Sequence, residues 1–163
     1  MESGAAFYVR QGNIYILKLI GDVRYTMGCA LGDFLDSLFT STDYDDIVVD
    51  LTETDSIDST SLGLLAKIAN FNRQHFLHKT TLLSTNADVN QILDNMGFYE
   101  IFNIRDTGEA ITSALQQLAI STPCKDELTR IVYEAHQTLS ELNPRNRETF
   151  KGVLDNLRPQ RND

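Results

Sequence analysis

The sequence predicts an α/β fold, in which helices pack on a mixed β-sheet, followed by a helical hairpin at the C-terminus. Over residues 1–122, short apolar and β-branched runs alternate with stretches whose apolar residues recur at helical spacing. The resulting order, ββαβαβαβα, favours right-handed crossovers that place helices against the sheet. From residue 123 onward the pattern changes to amphipathic helices without strands.

The N-terminal part predicts a pair of strands and a first helix. Ala6–Arg10 and Ile14–Gly21 have the composition of strands, and Gly12 between them is a turn signal. The apolar residues of Met27–Phe39 recur at helical spacing, so this segment is predicted to be an amphipathic helix. The polar stretch Thr40–Asp46 ends that helix.

A buried strand and a second helix follow. Ile47–Leu51 is a short apolar and β-branched run, which favours a strand buried in the sheet. The acidic and hydroxyl-rich stretch Thr52–Asp58 is predicted to be a loop, and the spacing predicts a helix from Thr60 to Phe76. Thr80–Ser84 is a further short strand.

Two helices and an edge strand are predicted to complete this part. Asn86–Met96 is predicted to be a helix that ends at Gly97, because glycine is favoured just beyond a helix C-terminus. Phe98–Ile104 is predicted to be an edge strand. Thr107–Ile120 is predicted to be the final helix over the sheet.

Pro123 marks a predicted boundary between two regions. Residues 1–122 form the first domain, and residues 123–158 form the amphipathic helical hairpin. Residues 159–163 are predicted to be a flexible tail.

The helical hairpin carries an apolar stripe that must be buried somewhere. The stripe of its first helix consists of Leu128, Ile131, Val132, Ala135, Leu139 and Leu142. Asn143 and Pro144 predict the start of the second helix, as N-cap and first helical residue. The stripe packs on the first domain, in a dimer or on a partner, and packing on the first domain, where the hairpin would cover the sheet, is favoured. His136 is predicted to be a polar position of this hairpin.

Charge limits the kind of partner. The formal net charge is -9, from 14 basic and 23 acidic residues, so nucleic acid is excluded as a natural partner because its phosphates would be repelled. The run from Tyr25 to Ala66 contains no Lys or Arg and holds many acids: Asp33, Asp36, Asp43, Asp45, Asp46, Asp50, Glu53, Asp55 and Asp58. Such a run forms either a solvated acidic face or a surface for a basic protein.

Membrane, metal and cofactor classes find no support in the sequence. The longest apolar run, Ile14–Ile20, contains Lys18 and is shorter than the roughly 20 residues of a membrane span. No phosphate-binding loop or zinc motif is present, so no cofactor or metal is expected. Cys29 and Cys124 lie far apart without a Cys/His cluster, so a disulfide framework is not expected, and Cys29 is predicted to be a small core residue. A cytoplasmic protein is the expectation.

The segment Ile47–Ile68 combines a strand, an acidic loop and a helix start rich in hydroxyl groups. Its plainest interpretation is an N-cap, in which Asp58 or Ser59 accepts a hydrogen bond from the free amides of the helix. A helix N-terminus also favours anions, so a phosphate on Ser59 is compatible with an intact helix. That phosphate would add about -1.5 to -2 charges beside Asp58, enough to disrupt a protein interface.

The string Asp58-Ser59-Thr60-Ser61-Leu62-Gly63 after a strand resembles the signature of STAS domains (sulphate transporter and anti-sigma-factor antagonist), roughly D-S-[ST]-[GA]-L-G. The element order is also similar to that family, over about residues 5–121. In bacterial antagonists of the family, the serine after the motif aspartate is phosphorylated by an anti-sigma factor with a GHKL-type ATPase fold. A PP2C-type phosphatase removes the phosphate, and the unphosphorylated form binds the anti-sigma factor.

The resemblance implies an interaction switch, an anti-sigma-factor antagonist that is not an enzyme. It implies phosphorylation of Ser59, with Thr60 or Ser61 as alternatives. The partner would bind the helix start and the neighbouring loops, at Asp22, Arg24, Asp55, Asp58, Ser59, Thr60, Ser61, Leu62 and Gly63.

Two residues depart from the family pattern. Ser61 stands where glycine or alanine is usual, which places a larger polar side chain where partners approach closely. Arg24 stands where members often carry an acid, and it either pairs with a neighbouring acid or contacts a phosphate on Ser59.

Two other functions remain open from the sequence. A STAS phospho-switch could have a non-sigma output, acting on a cyclase, a transporter or a stress complex. A small nucleotide-binding or hydrolytic protein is the other alternative, against which the lack of a phosphate loop argues.

Overall fold

The structure is a computed structural model that describes residues 3–41, 43–106, 114–119 and 124–157. The strands are β1 (Ala5–Gln11), β2 (Ile14–Val23), β3 (Asp46–Ile57), β4 (Thr80–Leu83), β5 (Phe102–Arg105) and β6 (Gln116–Gln117). The helices are α1 (Gly28–Thr40), α2 (Ser59–His75), α3 (Ala87–Asn95), α4 (Phe98–Ile101), α5 (Lys125–Ser140) and α6 (Pro144–Leu157).

The strands form one six-stranded mixed sheet in the order β5-β4-β3-β2-β1-β6. β1 pairs antiparallel with β2 and β6, whereas β2, β3, β4 and β5 are parallel neighbours. The predicted α/β class with a mixed sheet is therefore confirmed. The predicted turn is confirmed as well, since Gln11 pairs with Ile14 across two residues and Gly12 has a φ of 60°.

β3 is longer than the predicted strand Ile47–Leu51, and the predicted loop Thr52–Asp58 is wrong up to Ile57. The reason is that β2 also continues, to Val23, and pairs with β3 as far as Ile57. The Thr54 hydroxyl is buried and donates a hydrogen bond to the Leu19 carbonyl at 2.7 Å. Ladder pairing therefore satisfies polar groups that the composition assigns to a loop.

The helices α1 and α2 confirm the predicted helices Met27–Phe39 and Thr60–Phe76 to within two residues. They pack against each other and supply much of the core, together with alternate residues of β3. The fully buried members of this core include Leu31, Leu35, Ile47, Val49, Leu51, Leu62, Leu65 and Ile68. The core thus fixes α2 on the sheet from its first turn onward.

The region around α3 follows the prediction in part. Asn86 caps α3 by accepting hydrogen bonds from the backbone N–H groups of Asp88 and Val89, and Gly97 ends it with a φ of 79°. The predicted edge strand Phe98–Ile104 begins only at Phe102, because α4 precedes it. Phe98 and Phe102 are both buried with ring centroids 5.1 Å apart, a spacing of four residues that a helical turn allows.

The predicted helix Thr107–Ile120 is wrong where the structure describes it. Residues 107–113 and 120 lie outside the described residues, but Gln116–Gln117 forms β6 on β1. The Leu118 N–H also donates a hydrogen bond to the Ala6 carbonyl at 2.8 Å. The free edge of β1 offers backbone groups that must be paired, and this demand outweighs the helical spacing of the side chains.

The helical hairpin, defined here as α5 and α6, packs on the first domain as expected, but the expectation that it covers the sheet is wrong. α5 lies on α2 and α1, against the helix layer rather than on the sheet itself. Ile131, Ala135 and Leu139 of its stripe are buried, as is Phe150 of α6. Asn143 caps α6 as predicted, its side chain accepting the Asn146 N–H at 2.8 Å. The tail 159–163 lies outside the described residues.

No helix among the described residues has both the length and the apolar character required to cross a membrane.

Candidate functional site

The candidate site is the segment Asp58–Gly63, here called the α2 start. β3 ends at Ile57 and α2 begins at Ser59, so Asp58 is the N-cap between them. One carboxylate oxygen of Asp58 accepts a hydrogen bond from the Ser61 N–H at 2.9 Å, and the other accepts the Tyr25 N–H at 2.6 Å. The sequence left open whether Asp58 or Ser59 caps α2, and in the structure Asp58 is the cap.

Ser59 is the first residue of α2 and is half-buried. Its Oγ lies 2.8 Å from Nε2 of His136 in α5. The other ring nitrogen, Nδ1, lies 2.7 Å from the Val132 carbonyl oxygen. Because a carbonyl only accepts, Nδ1 carries a proton, and in the neutral ring Nε2 accepts the hydrogen bond from Ser59.

The other hydroxyl groups of the α2 start are less accessible than that of Ser59. Thr60 is 4% exposed and Ser61 is 2% exposed. Leu62 belongs to the hydrophobic core at 1% exposure, so its side chain does not form part of the outer surface. Of the hydroxyl residues in the signature, Ser59 is the one that the structure leaves partly open to solvent.

Gly63 lies against the backbone of α5. A Cβ atom added to Gly63 would overlap the Ala135 carbonyl oxygen and would lie 2.6 Å from the Ala135 Cβ. A side chain at this position is incompatible with the observed packing, since backbone atoms cannot retreat as a flexible side chain can. The close approach expected at Gly63 is thus made by the chain's own α5.

Arg24 pairs with an acid, one of its two expected roles. Its Nε lies 2.6 Å from Oδ2 of Asp22, and the Ser56 hydroxyl donates to the other oxygen of that carboxylate. The hydrogen bond from Ser56, assisted by the charge of Arg24, holds the pKa of Asp22 below its ordinary value. The Arg24 side chain is 61% exposed, so it still faces solvent beside the α2 start.

A shallow surface depression lies next to the N-cap. It is lined by Asp22, Arg24, Tyr25, Ser56, Ile57 and Asp58. Tyr25 is 48% exposed. Asp55 is exposed near the end of β3. This side of the site offers an aromatic ring, a cation and a carboxylate to a partner.

The acidic run does not form one uniform face. Six of its members are exposed: Asp33, Asp36, Asp43, Asp45, Glu53 and Asp55. Asp46 and Asp58 are half-buried, and Asp50 is fully buried. Asp50 lies 4.0 Å from the ammonium group of the buried Lys18, which also pairs with Glu53. Part of the run therefore neutralises an internal cation instead of facing a partner.

The expectation of unpaired cysteines is wrong in this structure. Cys29 of α1 and Cys124, directly before α5, form a disulfide whose Cα atoms are 6.6 Å apart. The carboxylate of Glu127 lies near these sulfurs, but sulfurs joined to each other do not offer thiolates to a metal. The contact arises because α5 packs on α1, a long-range event that sequence spacing does not report.

Two residues of the candidate site were not predicted from the sequence. His136 is not a solvated polar position: it is 6% exposed and bonded to Ser59. Its place between the stripe residues Val132 and Leu139 was a usable signal, because these positions share one helix face. Tyr25 carried no such signal, since it lies in a short helical turn before α1.

Comparison with known proteins identifies the fold family. The STAS domain model matches residues 7–111, more than half of the 163 residues. A search of curated proteins finds no match. The matched region contains most of β1, all of β2 to β5, and the strand-to-helix junction that holds Ser59. The chain therefore belongs to the STAS domain family.

Proposed function

We propose that this chain is an anti-sigma-factor antagonist that acts by partner switching. Its unphosphorylated form binds a GHKL-type serine kinase that is also the anti-sigma factor. Phosphorylation of Ser59 releases that partner, and a PP2C-type phosphatase restores the binding form. In this proposal the protein is not itself an enzyme, requires no cofactor, and acts in the cytoplasm.

The observation that carries the proposal is the position of Ser59. It follows the capping Asp58 as the first residue of α2, at the end of a strand that the family model covers. Ser59 is half-buried, whereas Thr60 and Ser61 are buried. This difference favours Ser59 as the phosphate acceptor over the two alternatives.

The helix terminus explains how a phosphate changes binding without unfolding the domain. A kinase would transfer the terminal phosphoryl group of ATP to Ser59 Oγ, which forms a new P–O bond, releases ADP and frees the hydroxyl proton. The added charge, about -1.5 to -2, lies at the positive end of the α2 dipole. The same charge lies beside Asp58, so a partner that tolerates Asp58 in its interface meets a strongly anionic group after phosphorylation.

The partner surface is best drawn from the exposed residues around the α2 start. Arg24, Tyr25 and Asp55 are exposed, and aromatic and arginine side chains commonly supply much of the binding energy in protein interfaces. Leu62 supports this surface from the core. Gly63 allows a partner backbone to approach α2 closely, as the α5 backbone does.

The Ser59–His136 contact also has the distance expected for a nucleophile and its base. In a catalytic arrangement a third group orients the base, and here that group is only the backbone carbonyl of Val132. In addition, α5 covers the α2 start. We assign the contact to packing of the helical hairpin and not to hydrolysis. A STAS switch with a non-sigma output, on a cyclase, transporter or stress complex, would use the same surface with another partner.

The test is a phosphorylation and binding series on the full chain. Protein purified from its own cells is analysed by peptide mass spectrometry over Asp50–Ile68, and affinity-purified partners are identified. We expect phosphate on Ser59, a GHKL-type kinase bound to Ser59→Ala, and loss of that partner from Ser59→Asp.

Variants at Thr85, another residue with a hydroxyl group, show whether the same substitutions elsewhere in the chain change partner binding. Thr85 is exposed and lies between β4 and α3, outside the segment Asp58–Gly63. Thr85→Ala and Thr85→Asp should bind the partner as wild type does. Equal binding by Ser59→Ala and Ser59→Asp would contradict the switch, and recovery of a partner without a GHKL-type fold would favour the non-sigma output.

A further inference from the structure

α5 covers the same part of α2 that the proposed function gives to a partner. The Ala135 backbone lies directly on Gly63, and the adjacent His136 is bonded to Ser59. These contacts come from two neighbouring residues of α5 and meet two residues one helical turn apart on α2. The α2 start is therefore occupied in this structure by a helix of the same chain.

The contact extends from the α2 start to α1. Leu128 and Ile131 of α5 lie 3.4 Å and 3.5 Å from the positions where Cβ atoms of Gly28 and Gly32 would stand. These two glycines are four residues apart and so share one face of α1. Together with Gly63 on α2, they provide three positions without a side chain along the path of α5.

α5 also makes polar contacts with α2. Besides the Ser59–His136 hydrogen bond, the Lys67 ammonium pairs with the Glu134 carboxylate at 3.2 Å. The side chains of that pair are 28% and 45% exposed, so solvent weakens their attraction. The ring of Phe150 in α6 packs edge-on against His136, with centroids 5.4 Å apart. The aromatic packing of α6 thus supports the imidazole that faces Ser59.

We propose that α5 is an internal competitor of the partner, and that the surface formed by α1 and α2 is a docking site for a single helix. The partner would present a helix with a small residue over Gly63, as α5 presents Ala135. In the closed form seen here the helical hairpin fills that site and lies against the half-buried Ser59, and in the open form the site is free. The identity of this surface as the partner site rests on the proposed function above, but its capacity to hold a helix does not.

The first test asks whether α5 leaves the surface as a unit. Ala135→Glu places a carboxylate against Gly63, and Gln137→Glu adds the same charge at an exposed position of α5. Hydrogen exchange of the full chain, with the Cys29–Cys124 disulfide reduced in every variant, is followed in α5, at the α2 start and in β3. We expect exchange in α5 and at the α2 start to rise about tenfold or more in Ala135→Glu, with β3 unchanged and Gln137→Glu like wild type.

The second test asks whether the freed surface accepts a helix from outside. The probe is a fluorescein-labelled peptide of residues 126–141, followed by fluorescence anisotropy. We expect it to bind Ala135→Glu about tenfold more tightly than wild type, because the wild-type site is already filled. Adding Gly63→Leu to Ala135→Glu should abolish that binding, since the new side chain fills the place of Ala135.

The outcomes separate this inference from the proposed function. Equal binding of the peptide to wild type and to Ala135→Glu, or binding that survives Gly63→Leu, would overturn the internal competitor. If β3 also exchanges rapidly in Ala135→Glu, the milder His136→Ala replaces it in both tests, with the same expected order. Neither test uses a kinase or phosphate, so failure to find phosphorylated Ser59 would remove the proposed function and leave the helix site intact.

Discussion

The carboxylate of Asp58 accepts the backbone N–H of Tyr25 at 2.6 Å while it caps α2. One side chain therefore joins the turn after β2 to the first turn of α2. Asp58→Ala should lower the free energy of unfolding by about 1–2 kcal/mol, because a lost N-cap costs about 1 kcal/mol and a second amide loses its acceptor. Asp58→Asn should cost less, since the amide oxygen still accepts. Urea denaturation measures both.

A second N-cap provides the control for Asp58. Asn86 caps a different helix, α3, through the N–H groups of Asp88 and Val89. Asn86→Ala should cost about 1 kcal/mol and leave the partner affinity of wild type. If Asp58→Ala lowers stability no more than Thr85→Ala at an exposed position, the bond to Tyr25 does not contribute to the fold.

The buried pair of Lys18 and Asp50 gives the second prediction. The ammonium group is 4.0 Å from the carboxylate, and the two side chains are 1% and 0% exposed. Lys18→Met should destabilise the protein by about 3 kcal/mol or more, since it leaves the Asp50 charge buried without a cation. The double variant Lys18→Met with Asp50→Leu should recover much of that loss. Urea denaturation of wild type, Lys18→Met, Asp50→Leu and the double variant gives the coupling free energy between the two side chains. Additive losses of stability would show that the pair does not interact.

Local patterns in the sequence predicted most of the fold. Turn glycines, helix caps and apolar spacing placed β1, β2, α1, α2 and α3, because each depends on residues close in the chain. The errors arose where distant pairing decides the backbone. β3 continues through acidic and hydroxyl residues because β2 lies beside it, and Gln116–Gln117 becomes a strand because β1 has a free edge.

The same distinction applies to the site. Asp58 and Ser59 were predicted because the cap and the motif lie within a few residues of each other. His136 was not, because it meets Ser59 across 77 positions of sequence, and Cys29 meets Cys124 across 95. Both contacts depend on where the helical hairpin packs, and an apolar stripe shows that a helix is buried without showing which surface buries it.

Tyr44 gives a prediction at alkaline pH. Its hydroxyl donates to the Leu38 carbonyl at 2.6 Å, and burial raises the pKa of Tyr44 from 10.0 to about 12. A raised pKa means that this stabilisation is complete below pH 10 and is lost as the pH rises from 10 through about 12. Stability should therefore fall more steeply over this range in wild type than in Tyr44→Phe, as measured by urea denaturation. Parallel pH profiles would contradict the assignment.

The last prediction concerns the disulfide between Cys29 and Cys124, which joins the beginning of α5 to α1. Closing a loop with a sequence separation of 95 restricts the unfolded chain, so the bond should add about 2–5 kcal/mol to the free energy of unfolding. Under oxidising conditions Cys29→Ser should lose that stability, and a thiol reductant should bring wild type to the level of the variant. Because the bond holds α5 beside α1, reduction should also increase hydrogen exchange in the first turn of α5 more than in β3. A wild-type protein whose denaturation midpoint and α5 exchange are indifferent to reductant would show that the two sulfurs are not joined in solution.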